Sequence, residues 1–79
     1  MHDNTAHLVK MANEISNFFR LKPEDVAVAG TANHIKRFWD PRMKAKMAEH
    51  LAHGGAGLNP LALKAVTLIC PAYAKSAQH

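Results

Sequence analysis

A chain of 79 residues forms a single domain, 1–79, and a domain so small hides only roughly 60% of the surface its unfolded chain exposes, so its own stability is modest. Apolar residues make up 48% of it, which excludes a disordered chain, yet one tryptophan, one tyrosine and three phenylalanines leave the core to Leu, Ile, Val, Met and Ala, a mixture that favours helices. The formal charge of +4 raises nucleic acid as a partner, while the lone Cys70 excludes an internal disulfide and fits a reducing compartment, the cytoplasm by default.

The opening MHDNTAHLVK carries polar and acidic residues where an export signal needs a basic start and an apolar run. Asp3 or Asn4 caps a first predicted helix over 4–19, in which Leu8, Met11, Ala12, Ile15, Phe18 and Phe19 fill one stripe roughly 120° wide. Lys10, Asn13, Glu14 and Asn17 lie opposite. After a connection at 20–22, Pro23, Glu24 and Asp25 form the first turn of a second helix over 23–39, where the helix dipole favours acids. Its stripe, Val28, Thr31, Ala32, Ile35, Phe38 and Trp39, assigns both Phe38 and Trp39 to the core. Gly30 lies inside this helix and predicts a close helix crossing or a local break.

Asp40 and Pro41 read as the N-cap and first residue of a third helix over 41–52, with Met43, Met47 and Leu51 as its apolar edge and the Gly54-Gly55-Ala56-Gly57 run as its stop. Asn59 and Pro60 repeat the cap-then-proline signature, so a fourth helix runs over 60–70 until Pro71 ends it, and 72–79 form a loose tail. Leu61, Ala62, Leu63, Ala65, Val66, Leu68, Ile69 and Cys70 cover most of that helix, leaving Lys64 and Thr67 as its polar strip. A helix apolar on so many sides is buried on two of them, and another chain can supply the second, which leaves self-association through 60–70 open when the chain is isolated. Two prolines, Asn59, Lys64 and Thr67 keep the 58–73 segment short of the roughly 20 apolar residues a membrane span requires. The expected fold is all-α, a compact bundle of four short helices with a loose C-terminal tail.

Catalytic chemistry is hard to place on this chain. Of six histidines, His50 and His53 are three apart on one helix face, but two ligands do not make a tetrahedral zinc site, and neither CxxC nor HEXXH is present. Cys70 precedes a proline in an apolar segment with no activating group beside it. Among the six acids, Asp3, Glu24, Asp25 and Asp40 are accounted for at helix starts, and GGAG lacks the lysine and the preceding strand of a P-loop. Half of the basic residues, Lys36, Arg37, Arg42, Lys44 and Lys46, fall between positions 36 and 46. A helix C-terminus explains Lys36 and Arg37, whereas Arg42 stands in a first turn where the dipole opposes it. The cluster supports three readings: a solvated face, a surface for a protein, or the duplex-binding face of a small basic helical nucleic-acid-binding protein.

The segment ANHIKRFWDPRM at 32–43 resembles the delta subunit of soluble, molybdenum-dependent, NAD-reducing formate dehydrogenases, and so do HLVKMANEISNFF at 7–19 and the glycine turn followed by Gly57-Leu58-Asn59-Pro60. The resemblance covers most of 7–61, while LALKAVTLIC at 61–70 departs from the more charged segment of that family. It implies a non-catalytic accessory subunit of a cytoplasmic complex that converts formate and NAD to carbon dioxide and NADH. The molybdenum cofactor, iron-sulfur clusters, FMN and NAD would reside on other subunits, with none bound by this chain. The implied partner is the large catalytic alpha subunit, and through it the rest of the complex, with a role in assembly, stability or cofactor insertion. The motif positions that would carry this binding are Asn33, His34, Arg37, Phe38, Trp39, Pro41, Arg42 and Met43.

Overall fold

The computed structural model describes the backbone of residues 5–77 and the side chains of residues 5–69. It consists of four helices, α1 (Thr5–Phe18), α2 (Glu24–Phe38), α3 (Pro41–Ala52) and α4 (Pro60–Ala77), with no strand among the described residues. The expected all-helical bundle is therefore what forms. Helix α4 packs chiefly against α2 and α3, and α1 touches all three of the others.

The main core draws on every helix: Leu8 and Ala12 from α1, Ile35 from α2 with Trp39 just beyond it, Met47 and Ala48 from α3, and Ala62 and Val66 from α4. Ile35, Met47 and Val66 lose almost all contact with water, each contributing about 1.5–3 kcal/mol relative to an exposed position. Alanines at 12, 27, 32, 48, 62 and 65 are all buried, and their small side chains let the helices approach closely enough to close a core in so short a chain. A smaller cluster of Val28, Ala32 and Ala65 seals α2 against α4.

The chain turns where the capping residues predict. Asp40 accepts a hydrogen bond from the Met43 amide at 2.9 Å and Pro41 opens α3, so α2 and α3 meet at a corner of only two extended residues, Trp39 and Asp40. At the other end of α3, Gly55 N–H donates to the His50 carbonyl and Gly54 N–H to that of Leu51, both at 3.0 Å, a Schellman closure with Gly54 and Gly55 at φ 108° and 66°. Pro23 lies one position outside its expected place: it immediately precedes α2 and its carbonyl accepts from Ala27 N–H at 2.9 Å.

Two expectations need correction. Helix α4 does not stop before Pro71 but continues to Ala77. Proline already has a helical φ, and its presence withdraws one donor, the N–H that would meet the Thr67 carbonyl; the alanine-rich run that follows it, with Ala72, Ala74 and Ala77, favours helix strongly enough to carry on. The expected tail over 72–79 is thus helical through Ala77, and its last two positions lie outside the described residues.

The second correction concerns the face of α1. Its buried line is Leu8, Ala12 and Ser16, rotated from the expected stripe so that Ser16 enters the interior and Phe18 leaves it. Hydrogen bonds explain the rotation. Asn59 Nδ2 donates to Ser16 Oγ at 2.8 Å, Ser16 Oγ donates to the Asn13 carbonyl at 2.8 Å, Asn59 N–H donates to Asn13 Oδ1 at 2.9 Å, and Asn13 Nδ2 donates to the Gly57 carbonyl at 2.9 Å. Asn59 Oδ1 also accepts from Ala62 N–H at 2.8 Å as the N-cap of α4. Asn13, expected on the outer face, is one of the residues that fastens the α3–α4 loop to α1.

A candidate protein-docking groove

Rotating α1 in this way leaves large apolar side chains that no described residue covers. Phe18 is 83% exposed and Phe38 69% exposed. The two frame a groove of about 490 Å³, open to solvent, between the C-terminal half of α1 and the corner that joins α2 to α3. On the α1 side it is walled by Met11, Glu14, Ile15, Phe18 and Phe19. His34, Phe38, Trp39 and Met43 form the opposite wall.

The aromatic rings make that lining stiff. Phe18 and Phe19 meet edge to face at 5.3 Å, and His34 lies against Phe38 with ring centres 4.7 Å apart. Beneath them, Phe19 rests on Gly30: a Cβ at that position would stand 2.8 Å from the Phe19 ring, so glycine is what allows this approach. Of the two features expected at Gly30, the structure shows the close approach, and α2 runs through it unbroken.

The motif positions are only partly gathered here. His34, Phe38, Trp39 and Met43 line the groove; Arg37 reaches its edge, its Cζ 6.0 Å from the centre of the Phe38 ring; Arg42 adjoins Met43 in the exposed first turn of α3; Asn33 and Pro41 are exposed and outside the lining. Trp39 is 4% exposed and belongs to the core as expected. Phe38 does not. It lies on the opposite edge of the α2 stripe from Trp39, beyond the point where α1 could cover it, because the buried face of α1 has turned toward Ser16. The α1 half of the groove was missing from the expected site, and its signal was the Phe18-Phe19 pair at a helix end, two adjacent aromatics that a narrow stripe cannot bury together.

The basic cluster at 36–46 does not form one continuous face. Lys44 is 7% exposed, and its Nζ donates to the Lys36 carbonyl at 2.7 Å, closing the C-terminal end of α2. Lys36, Arg37, Arg42 and Lys46 remain exposed. The Arg42 guanidinium makes no hydrogen bond or ion pair with any described residue, although it stands at the helix end where its charge is least favoured.

Other apolar side chains are exposed as well, Leu21 at 88% among them. Leu63 and Leu68 of α4 are 36% and 64% exposed beside Val28, Ala29, Glu24 and Asp25, and an exposed Lys64–Glu24 ion pair spans that shallow face. The apolar circumference of α4 is thus buried along one broad side by Ala62, Ala65 and Val66, with Leu63 and Leu68 left outside. His50 Nε2 lies 2.8 Å from the Ala56 carbonyl and His53 Nδ1 2.9 Å from that of Glu49, each histidine serving the end of α3. Among the described residues no three of His, Cys, Asp and Glu are grouped as metal ligands would be, and no helix is long and apolar enough to cross a membrane.

Comparison with known families gives one finding: the model of the family described as NADH-dependant formate dehydrogenase delta subunit FdsD matches residues 7–66. Comparisons with curated proteins and with solved structures give no match. The matched span takes in α1 from its third residue, all of α2 and α3 and the first two turns of α4, and the chain belongs to this family.

Proposed function

We propose that this member of the formate dehydrogenase delta-subunit family is a non-catalytic accessory subunit that binds the large molybdenum-containing subunit of the enzyme, in the cytoplasm, through the groove between α1 and the α2–α3 corner. The observation that carries the reading is the exposure of Phe18 and Phe38 on facing walls of one groove that also contains four of the motif positions. Large exposed aromatics backed by rigid packing are the usual anchors of a protein interface, since they bury much area while losing little side-chain freedom. Formate oxidation and electron transfer to NAD belong in this reading to other subunits, and this chain acts by holding one of them in a competent shape during assembly, cofactor insertion or later.

Nucleic acid is the weaker alternative, because Lys44 is turned inward and Arg37 lies at the edge of an apolar groove, where a duplex-binding face would present a continuous charged stripe. The test is affinity purification of the tagged chain from cells that make the enzyme, with mass spectrometry of what co-elutes. The large formate dehydrogenase subunit is expected in stoichiometric amount. Its absence, with nucleic acid or nothing recovered, would overturn the reading.

A further inference from the structure

The groove has a definite size and a sign. Met11 to Phe18 spans about 10 Å of helix axis, the length of two helical turns. Its α1 wall carries Glu14, and Arg37 stands at the Phe38 ring of the opposite wall; Arg42, exposed and next to Met43 in sequence, has no hydrogen bond or ion pair from its guanidinium to any described residue. A positive charge kept in the first turn of α3 is unfavourable for that helix, and no described residue offsets it, so an acidic group on a binding partner is the complement it invites.

Resting on the reading above, we propose that the occupant of the groove is an amphipathic helix of another formate dehydrogenase subunit, which seats apolar side chains spaced i, i+4 between Phe18 and Phe38 and carries carboxylates along the edge that faces Arg37 and Arg42. Recognition of this kind lays an apolar helical face into a hydrophobic groove, while flanking charges fix its direction and register. Because Glu14 lies on one wall and Arg37 borders the other, the reversed orientation would set carboxylates against Glu14. The groove therefore selects one direction of the bound helix as well as its composition.

The experiment uses the assembled formate dehydrogenase complex produced together with this chain. A photo-crosslinking benzoylphenylalanine replaces Phe18 or Phe38, and the crosslinked peptides are sequenced by mass spectrometry. Both positions are expected to capture the same segment of one other subunit, with apolar residues four apart and at least two acids on one edge. Arg37→Glu with Arg42→Glu should then lower affinity by about tenfold or more, in a salt-dependent manner, and exchanging the captured acids for lysine should restore most of the loss. An intact complex in which both positions capture a second copy of this chain, a segment without acids, or nothing would overturn the inference and leave the accessory reading standing. Failure of the unmodified chain to join the complex at all would overturn both.

Discussion

Two stretches of α1 meet very different surroundings. Where its middle crosses the α3–α4 loop, Asn13, Ser16 and Asn59 satisfy one another and the neighbouring backbone, and no buried side-chain nitrogen or oxygen among the described residues lacks a partner. Two residues beyond Ser16, Phe18 stands in water across the groove from another exposed phenylalanine, which has Arg37 at its ring. The difference teaches that, among the described residues, the first region is complete and the second leaves its aromatic side chains uncovered. Substitutions in the first should change stability and leave association intact; those in the second should do the reverse.

Trp39 is where the two regions join, since its ring is buried in the core and also floors the groove. Trp39→Ala should therefore have the largest effect, costing about 3–5 kcal/mol in urea denaturation followed by circular dichroism, which is a large fraction of what so small a domain can have. An unchanged unfolding midpoint would show that the groove and the core are separable. Asn59→Ala is next. It removes the α4 cap and the partners of Asn13 and Ser16, and about 2 kcal/mol of stability should go with them, a fall in Tm of about 8–16 °C, while partner affinity in the folded protein stays as it was. Lost affinity in a variant that still folds would mean that the loop region also meets the partner.

The contrast between these regions was legible in the sequence only in part. Cap-then-proline pairs at 40–41 and 59–60 and the glycine run placed α3 and the start of α4 correctly, because each signal acts through the backbone within a few residues. Helical spacing found Leu8, Ala12, Ile35 and Trp39 for the same local reason. What it could not find was the rotation of α1, which depends on Ser16 meeting Asn59 across more than forty positions. Phe18 and Phe38 were therefore assigned to the core by a periodicity that is right for each helix alone and wrong for the pair. The motif drew attention to the α2–α3 corner, but the α1 wall follows only from the packing of α1 against α2.

Arg42→Glu tests the unfinished region by the sign of its effect. The substitution puts an acid where the α3 dipole favours one, so stability should rise by about 0.3–1 kcal/mol even as association weakens. Opposite movements of the unfolding midpoint and the affinity are the mark of a residue kept for a partner. A fall in both would instead make Arg42 part of the fold.

Gly30→Ala should have the smallest effect on stability and discriminates most finely. Alanine in a helix interior gains roughly 0.5–1 kcal/mol over glycine, but here the new methyl would stand 2.8–3.0 Å from three atoms of the Phe19 ring, which must swing aside. Gain and displacement nearly cancel, so the unfolding midpoint should move by less than about 0.5 kcal/mol. Phe19, however, lines the groove, and moving it reshapes the α1 wall without touching any charge or any exposed residue. Affinity for the partner should drop while salt dependence stays the same. Unchanged affinity would show that the partner rests on the α2–α3 corner alone, and the exposed Phe18 would then need another explanation.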